Sequence, residues 1–365
     1  MTTTDGSPAR GGPALRARVQ AALFDPVDVA WLAAFRVLFG LTMGVSMLRF
    51  IAYGWIDGLF VEPGFHFKYW GFGWVEPLPP TAMHALFWVL AGLGLAVAAG
   101  LCFRLSAALF VVGFSYLALI DVTAYLNHYY LAILLGALLA ISPAHRAWSL
   151  DAWMRPRLAA QRVPAGWLHL FRFQVAVVYT FAGLAKAHAD WLLHAQPLRI
   201  WLASRTGMPV IGALFLHEWA APLMSWGGFL FDTSIAWLLL VRRIRPFAYV
   251  AVIAFHALTR ALFPIGMFPV IMVLSALVFF PPGWPRWWVD RARRLVAGRD
   301  RGAEAPASAG AAIAPASPRL RALGVTLGAI YCALQIALPL RFLAYGGDVR
   351  WHEQGMRFSW RVMVR

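Results

Sequence analysis

The chain has 365 residues, of which 61% are hydrophobic and 13% charged, with a mean hydropathy of +0.65. A soluble fold this apolar lacks the polar residues to cover its surface, and long apolar runs without two-residue alternation exclude a transmembrane barrel; what remains is an all-α polytopic membrane bundle. The 32 lysines and arginines against 16 acids give a net charge of +16, and in such a bundle the excess belongs to loops facing anionic lipid and calls for no nucleic-acid partner.

In chain order, residues 1–28 form a polar tail carrying Arg10, Arg16 and Arg18, followed by an apolar run too long for a signal-peptide core, so the first span is read as uncleaved. Apolar stretches of about 18 or more residues predict spans near 29–52, 81–101, 105–124, 127–143, 165–185, 219–241, 246–263, 264–281 and 320–341. That makes about nine crossings. A membrane core is expected over 29–281, a basic cytoplasmic linker over 282–319 with a flexible Ala-, Pro-, Gly- and Ser-rich part at 296–318, and the last span with a short extracytoplasmic tail over 320–365. With the N-terminus inside, inner segments hold 18 Lys and Arg and outer ones 10. This asymmetry puts the C-terminus outside, in a membrane expected to be a bacterial inner membrane.

Several chemistries are discounted. Cys102 and Cys332 both sit in apolar stretches, so no disulfide framework or thiolate metal site is expected, and no metal is called for. There is no P-loop, no dinucleotide-binding glycine motif, no HExxH and no GxSxG. The glycines of GLGLAVAAG (92–100) read as close helix packing, and the aromatic loop 65–76 reads as an interfacial belt in preference to a lid.

Polar groups in a bilayer are costly, so their convergence is informative. The turn DVTAYLNHYYL (121–131), the segment AGLAKAHADW (182–191) and the stretch FHALTRALFPIGMF (255–268) all fall at the expected outer boundary. They bring Asn127, His128, Lys186, His188, Asp190 and His256 to one level. Lys186 stands out because the chain has 30 arginines and two lysines, Lys68 and Lys186. A desolvated lysine can lose its proton and act as a base where arginine cannot. Two readings of Lys186 stand at this point: a base, or a snorkelling amine paired with Asp190 at i+4. Asn127, the sole asparagine, is also consistent with turn capping, and His256 with an ordinary helix contact. Arg36 and Asp232 read as bundle pairs and not as catalysts.

The motifs FRVLFG (35–40), GLCFRLS (100–106), NHYYL (127–131), AGLAKAHADW, FLFDTS (229–234), PIGMF (264–268) and FSWRVMV (358–364) occur in an order in which the chain resembles the vitamin K-dependent gamma-carboxylases and the wider horizontally transferred transmembrane (HTTM) domain family. The resemblance implies that Lys186 takes the place of the catalytic lysine that deprotonates vitamin K hydroquinone or a menaquinol-like quinol. It also implies that His128 and Asn127 are the Asn-His pair beside the reacting centre, and that His256, Tyr179 and Met267 contact the quinone. O2 and CO2 would be co-substrates, and a glutamate-containing peptide or protein the acceptor: quinol oxygenation to the epoxide would generate the strong base that removes the glutamate γ-proton before CO2 adds. Alternatives from other classes are a quinone-dependent oxygenase or oxidoreductase without glutamate carboxylation, and a non-enzymatic quinone or lipid carrier or sensor. Ala185 replaces the first of two adjacent family lysines, and His188 stands where animal members commonly have an acid. Animal members continue beyond the position of Arg365 into a large lumenal domain that grips a propeptide, so the resemblance implies no such grip from the residues present.

Overall fold

The computed structural model describes residues 15–297, 312–313 and 317–362. A short helix α1 (Leu15–Phe24) leads through strand β1 (Pro26–Asp28) into α2 (Ala30–Ala52). Helices α3 (Pro80–Ala99), α4 (Phe103–Ile120) and α5 (Asn127–Ile141) follow, then strand β2 (Arg162–Pro164), which pairs antiparallel with β1 with Val27 opposite Val163. The rest comprises α6 (Ala165–Leu184), α7 (Ala220–Leu240), α8 (Arg245–Leu262), α9 (Phe268–Ser275), α10 (Trp284–Ala297) and α11 (Pro318–Leu340).

The protein is a helical membrane protein. Helices fall on all nine predicted stretches, but by length and composition five of them can cross a membrane: α2, α3, α4, α7 and Pro318–Ala344. Helix α5 has 15 residues, short for a crossing. Residues Phe268–Phe279 and Trp284–Val296 pass the same test only as a pair bent by 94°, so five or six spans, and not nine, rest on the helices themselves. The expected linker 282–319 also differs at its start, where 284–297 is helical with Trp284, Trp288 and Leu295 recurring on one face. Most of the stretch 296–318, expected from sequence to be flexible, lies outside the described residues, as does 1–14 of the N-terminal tail.

Helices α2 and α3 pack at backbone distance. A Cβ on Gly40 would lie 2.4 Å from the Ala98 nitrogen, and one on Gly94 would lie 2.8 Å from the Gly44 nitrogen. Small residues permit this approach, and close packing with internal hydrogen bonds is what holds helices together in lipid. Of the other glycines in the 92–100 run, Gly92 touches nothing, and Gly100 adopts φ +68° to close α3. Around this seam Phe35, Phe39, Phe110 and Phe171 interlock edge to face.

Buried arginines close helix ends. Arg36 is fully buried, and its guanidinium donates to the carbonyls of Ala144 (2.9 Å), Ala147 (3.2 Å) and Trp148. It therefore pairs with backbone, not with an acid as the sequence suggested. Arg172 does the same for Val278, Phe279 and Phe280. In the 65–76 loop Trp70 is 98% exposed and Trp74 77%, as an interfacial belt requires. Lys68 is spent on Val75 O (2.6 Å) and Glu76 (2.8 Å) in that loop. Helix α11 is tied to the bundle by the Tyr331 hydroxyl donating to Gln174 and by Gln335 donating to the Tyr130 hydroxyl at 3.3 Å.

Candidate functional site

Gly183, the penultimate residue of α6, sets the site. A Cβ there would lie 2.5 Å from Thr233 Cγ2 and 2.8 Å from the Thr233 backbone nitrogen, so α6 and α7 approach as closely as α2 and α3 do. Helix α6 ends at Leu184, and the turn that follows delivers Lys186 beside the adjoining Asp232 of α7. Lys186 and Asp232 are 4% and 7% exposed. Lys186 Nζ donates to Asp232 Oδ2 at 2.8 Å, to Ala182 O at 3.2 Å and to Val362 O at 3.3 Å, occupying all three ammonium protons. The Trp191 ring lies 5.3 Å from Nζ and is held by its indole donating to Ser225 O (2.8 Å) and by the Ser225 hydroxyl donating back to Trp191 O.

Lys186 and Asp232 form part of the wall of a cavity of about 70 Å3, otherwise enclosed by Tyr179, His256, Phe268 and neighbouring apolar side chains. Tyr179 Oη and His256 Nε2 are 3.0 Å apart. The second ring nitrogen of His256, Nδ1, is buried without a hydrogen-bond partner among the described residues. Such an orphan is uncommon, and an oxygen on a bound molecule would satisfy it. Phe231 and Phe255 stack with ring centroids 3.9 Å apart, and each packs against His256, fixing the imidazole.

Of the residues singled out from sequence, Lys186, Tyr179 and His256 therefore share one cavity, whereas His128, Asn127 and Met267 are not in its wall. His128 is buried one ring away, its centroid 6.0 Å from Phe268, which is in turn 5.8 Å from His256. It packs beside Gly266, whose φ of +59° disfavours a side chain. The Asn127 side chain accepts from the Tyr125 hydroxyl (3.0 Å) and donates to Arg361 O (3.3 Å). Met267 precedes α9, and its neighbour Phe268 is the residue that reaches the cavity. The backbone at 361–362 thus touches Asn127 from one side and Lys186 from the other.

One sequence expectation needs correction, and a second gains its partner. Lys186 does not pair with Asp190, because α6 ends before Lys186 and no helical i+4 geometry links the two. Asp190 instead accepts from Arg350 at 2.6 Å, and Arg350 also holds Asp348 (2.9 Å) and His188 Nδ1 (2.6 Å). Burial and the Arg350 guanidinium hold the His188 imidazole below its ordinary range, and Arg350 pulls the Asp348 carboxyl down to about 2. Asp232, read as a bundle pair, is one: it is the counterion of Lys186, and it lines the same cavity. The sole signal for it in sequence was a single acid within an apolar helix; its partner lies 46 residues away.

Comparison with known proteins agrees with the motif reading. The sequence model of the HTTM domain matches residues 24–284, and that of the vitamin K-dependent gamma-carboxylase lumenal domain matches residues 320–365. No solved structure matches the chain. With well over half of its length matched, the chain belongs to the HTTM domain family, and its C-terminal part is of the gamma-carboxylase lumenal type.

Proposed function

We propose that the protein is a gamma-carboxylase-like enzyme that couples oxygenation of vitamin K hydroquinone, or a menaquinol-like quinol, to carboxylation of glutamate in a peptide or protein. The observation that carries this reading is a buried Lys186–Asp232 pair in the wall of an apolar, Tyr179- and His256-lined cavity within an HTTM domain. When bound, the quinol supplies, by reaction with O2, the basicity that a glutamate γ-carbon demands and no side chain has.

The chain's part begins with a proton at Lys186 Nζ. A paired ammonium is no base, but it becomes one by passing that proton to Asp232 Oδ2, 2.8 Å away. Lysine and aspartate both turn neutral, so the net charge of the pair is unchanged, which suits a low-dielectric site. The free amine then takes a proton from an acidic hydroxyl presented in the cavity. Asp232, now protonated, no longer competes for the new ammonium, which faces the oxygen that has lost its proton. Tyr179 and His256 orient the ring system through the hydroxyl and the unpartnered Nδ1. With about 70 Å3, room for roughly five waters, the cavity must open to take a bicyclic ring, and Phe268 and Val362 are the walls best placed to yield. His128 and Asn127, on the far side of Phe268, would hold the glutamate carboxylate. We also propose nine crossings with the N-terminus cytoplasmic, in a bacterial inner membrane, with the site opening outside.

The test is CO2 incorporation into a glutamate-containing peptide, with quinone epoxide measured in the same tubes, comparing wild type with Lys186→Ala. Both products from wild type and neither from the variant is the expected result. Epoxide without incorporation would replace the carboxylase reading with that of a quinol oxygenase, and neither product from folded wild type would favour a carrier or sensor.

A further inference from the structure

Helix α10 sits apart from the site and has an unusual surface. At 100° per residue, Trp284, Trp288, Ala292 and Leu295 fall on one face and Arg286, Asp290, Arg293 and Arg294 on the other. Among the described residues nothing covers the apolar face: Trp288, Leu295 and Val296 are 58%, 74% and 91% exposed. The helix stands at 94° to the preceding Phe268–Phe279 segment, so where that segment runs along the membrane normal, α10 runs in the membrane plane. Arg286 pins its start through a two-pronged pair with Asp28, both contacts at 2.9 Å, which fixes its rotation about its axis. Arg291, Arg293 and Arg294 are exposed, with Asp290 the sole acid in the helix, and the Arg291 guanidinium rests 5.8 Å from the Trp287 ring.

We propose that α10 lies in the membrane interface and is a binding site for anionic phospholipid, independently of what the cavity catalyses. Its apolar face enters the acyl boundary, Arg293 and Arg294 contact headgroup phosphates from the polar side, and Arg291, which falls among the tryptophans with its guanidinium against Trp287, snorkels up to the same phosphates. Three features select this occupant over a protein partner. The tryptophans sit where interfacial belts place them, the exposed cations match an anionic surface, and 14 residues spanning roughly 21 Å lie flat without crossing.

Hydrogen exchange read over 288–297 tests this on the full chain in nanodiscs. Mixed phosphatidylglycerol and phosphatidylcholine should slow exchange at least about tenfold relative to phosphatidylcholine alone, since each arginine near an anionic surface contributes about fivefold in binding. The difference should vanish in R291Q/R293Q/R294Q and persist in R291K/R293K/R294K, with amides of α2 unchanged as the folding control. Should the glutamine variant not fold, phosphatidylglycerol retained by wild type through native mass spectrometry, and displaced by salt, replaces it. Equal exchange in the two lipids, or a difference that survives the glutamine changes, would overturn the proposal. So would protection in detergent that grows with protein concentration, which would put a second copy on this face.

Discussion

The α2–α3 and α6–α7 pairs use the same device for different ends. Both helix pairs close to backbone distance on glycine, Gly40, Gly44 and Gly94 in one and Gly183 in the other. The first seam surrounds itself with phenylalanines. The second sets Lys186 against Asp232 in the wall of a cavity. Close approach is thus a packing solution in one half and a positioning device in the other, and the two can be told apart by what fails when each is loosened.

The largest expected effect is on chemistry: Lys186→Ala should lower turnover about a thousandfold, as loss of a general base does. Lys186→Arg should fare no better, because a guanidinium cannot give up its proton. The single change strands a buried carboxyl, so the double variant Lys186→Met with Asp232→Asn sharpens the comparison. Its thermal stability should return to within about 1 kcal/mol of wild type while activity stays lost. Recovery of activity in the double variant would remove Lys186 from the chemistry altogether.

Next comes the packing seam. Gly40→Val should destabilise by about 3 kcal/mol, since its Cβ would meet backbone that has no room to move; chemical denaturation in mild detergent measures it. Gly183→Val should cost comparable stability and also abolish turnover, whereas a seam that merely packs would lose stability alone. Tyr179→Phe keeps the ring and loses the hydroxyl bound to His256, and a tenfold fall in turnover, about 1.4 kcal/mol, is expected with little change in melting temperature.

The smallest effect concerns the Arg350 latch, the cluster in which Arg350 holds Asp190, Asp348 and His188. The Asp348 carboxyl is held at about 2 in the folded chain, below its ordinary 3.8, so its contribution is fully present above that ordinary value and fades as pH falls toward about 2. Stability measured from pH 8 down to 5 should therefore show no change in protease resistance of residues 348–362 from this group. A drop within that window would assign the latch to another titrating group.

How far the sequence reached follows from what each signal depends on. Apolar runs located the helices because lipid imposes length and composition locally, and the family motifs reached Lys186, Tyr179 and His256. The number of crossings was less legible, since α5 is short and the 268–296 stretch bends, so that five or six meet the length and composition test. The partner of Asp232 was out of reach because it is chosen by the tight Gly183 contact between helices, a tertiary fact, while Asp190 lay temptingly four residues from Lys186. The amphipathic α10 was taken for linker because its arginines drew attention to charge, although the recurrence of Trp284, Trp288 and Leu295 marks one face. Asn127 shows what scarcity alone leaves open: the sole asparagine drew attention to chemistry, but that its side chain engages Tyr125 and the Arg361 carbonyl, the latter 234 residues on, is set by the fold.

That last contact has a mechanical side. Carbonyls 361 and 362 belong to adjacent peptide units that meet at the Cα of Val362, so the amide of Asn127 and the ammonium of Lys186 hang from neighbouring links of one backbone. Each unit is rigid and planar, and the two turn against each other only through the φ and ψ of residue 362. Turning one to release its side chain shifts the other acceptor unless that single joint absorbs the motion. The neighbourhood of His128 and the buried amine are therefore geared together by the C-terminal backbone, with Arg350, Asp190 and Asp348 setting how freely that gear can turn.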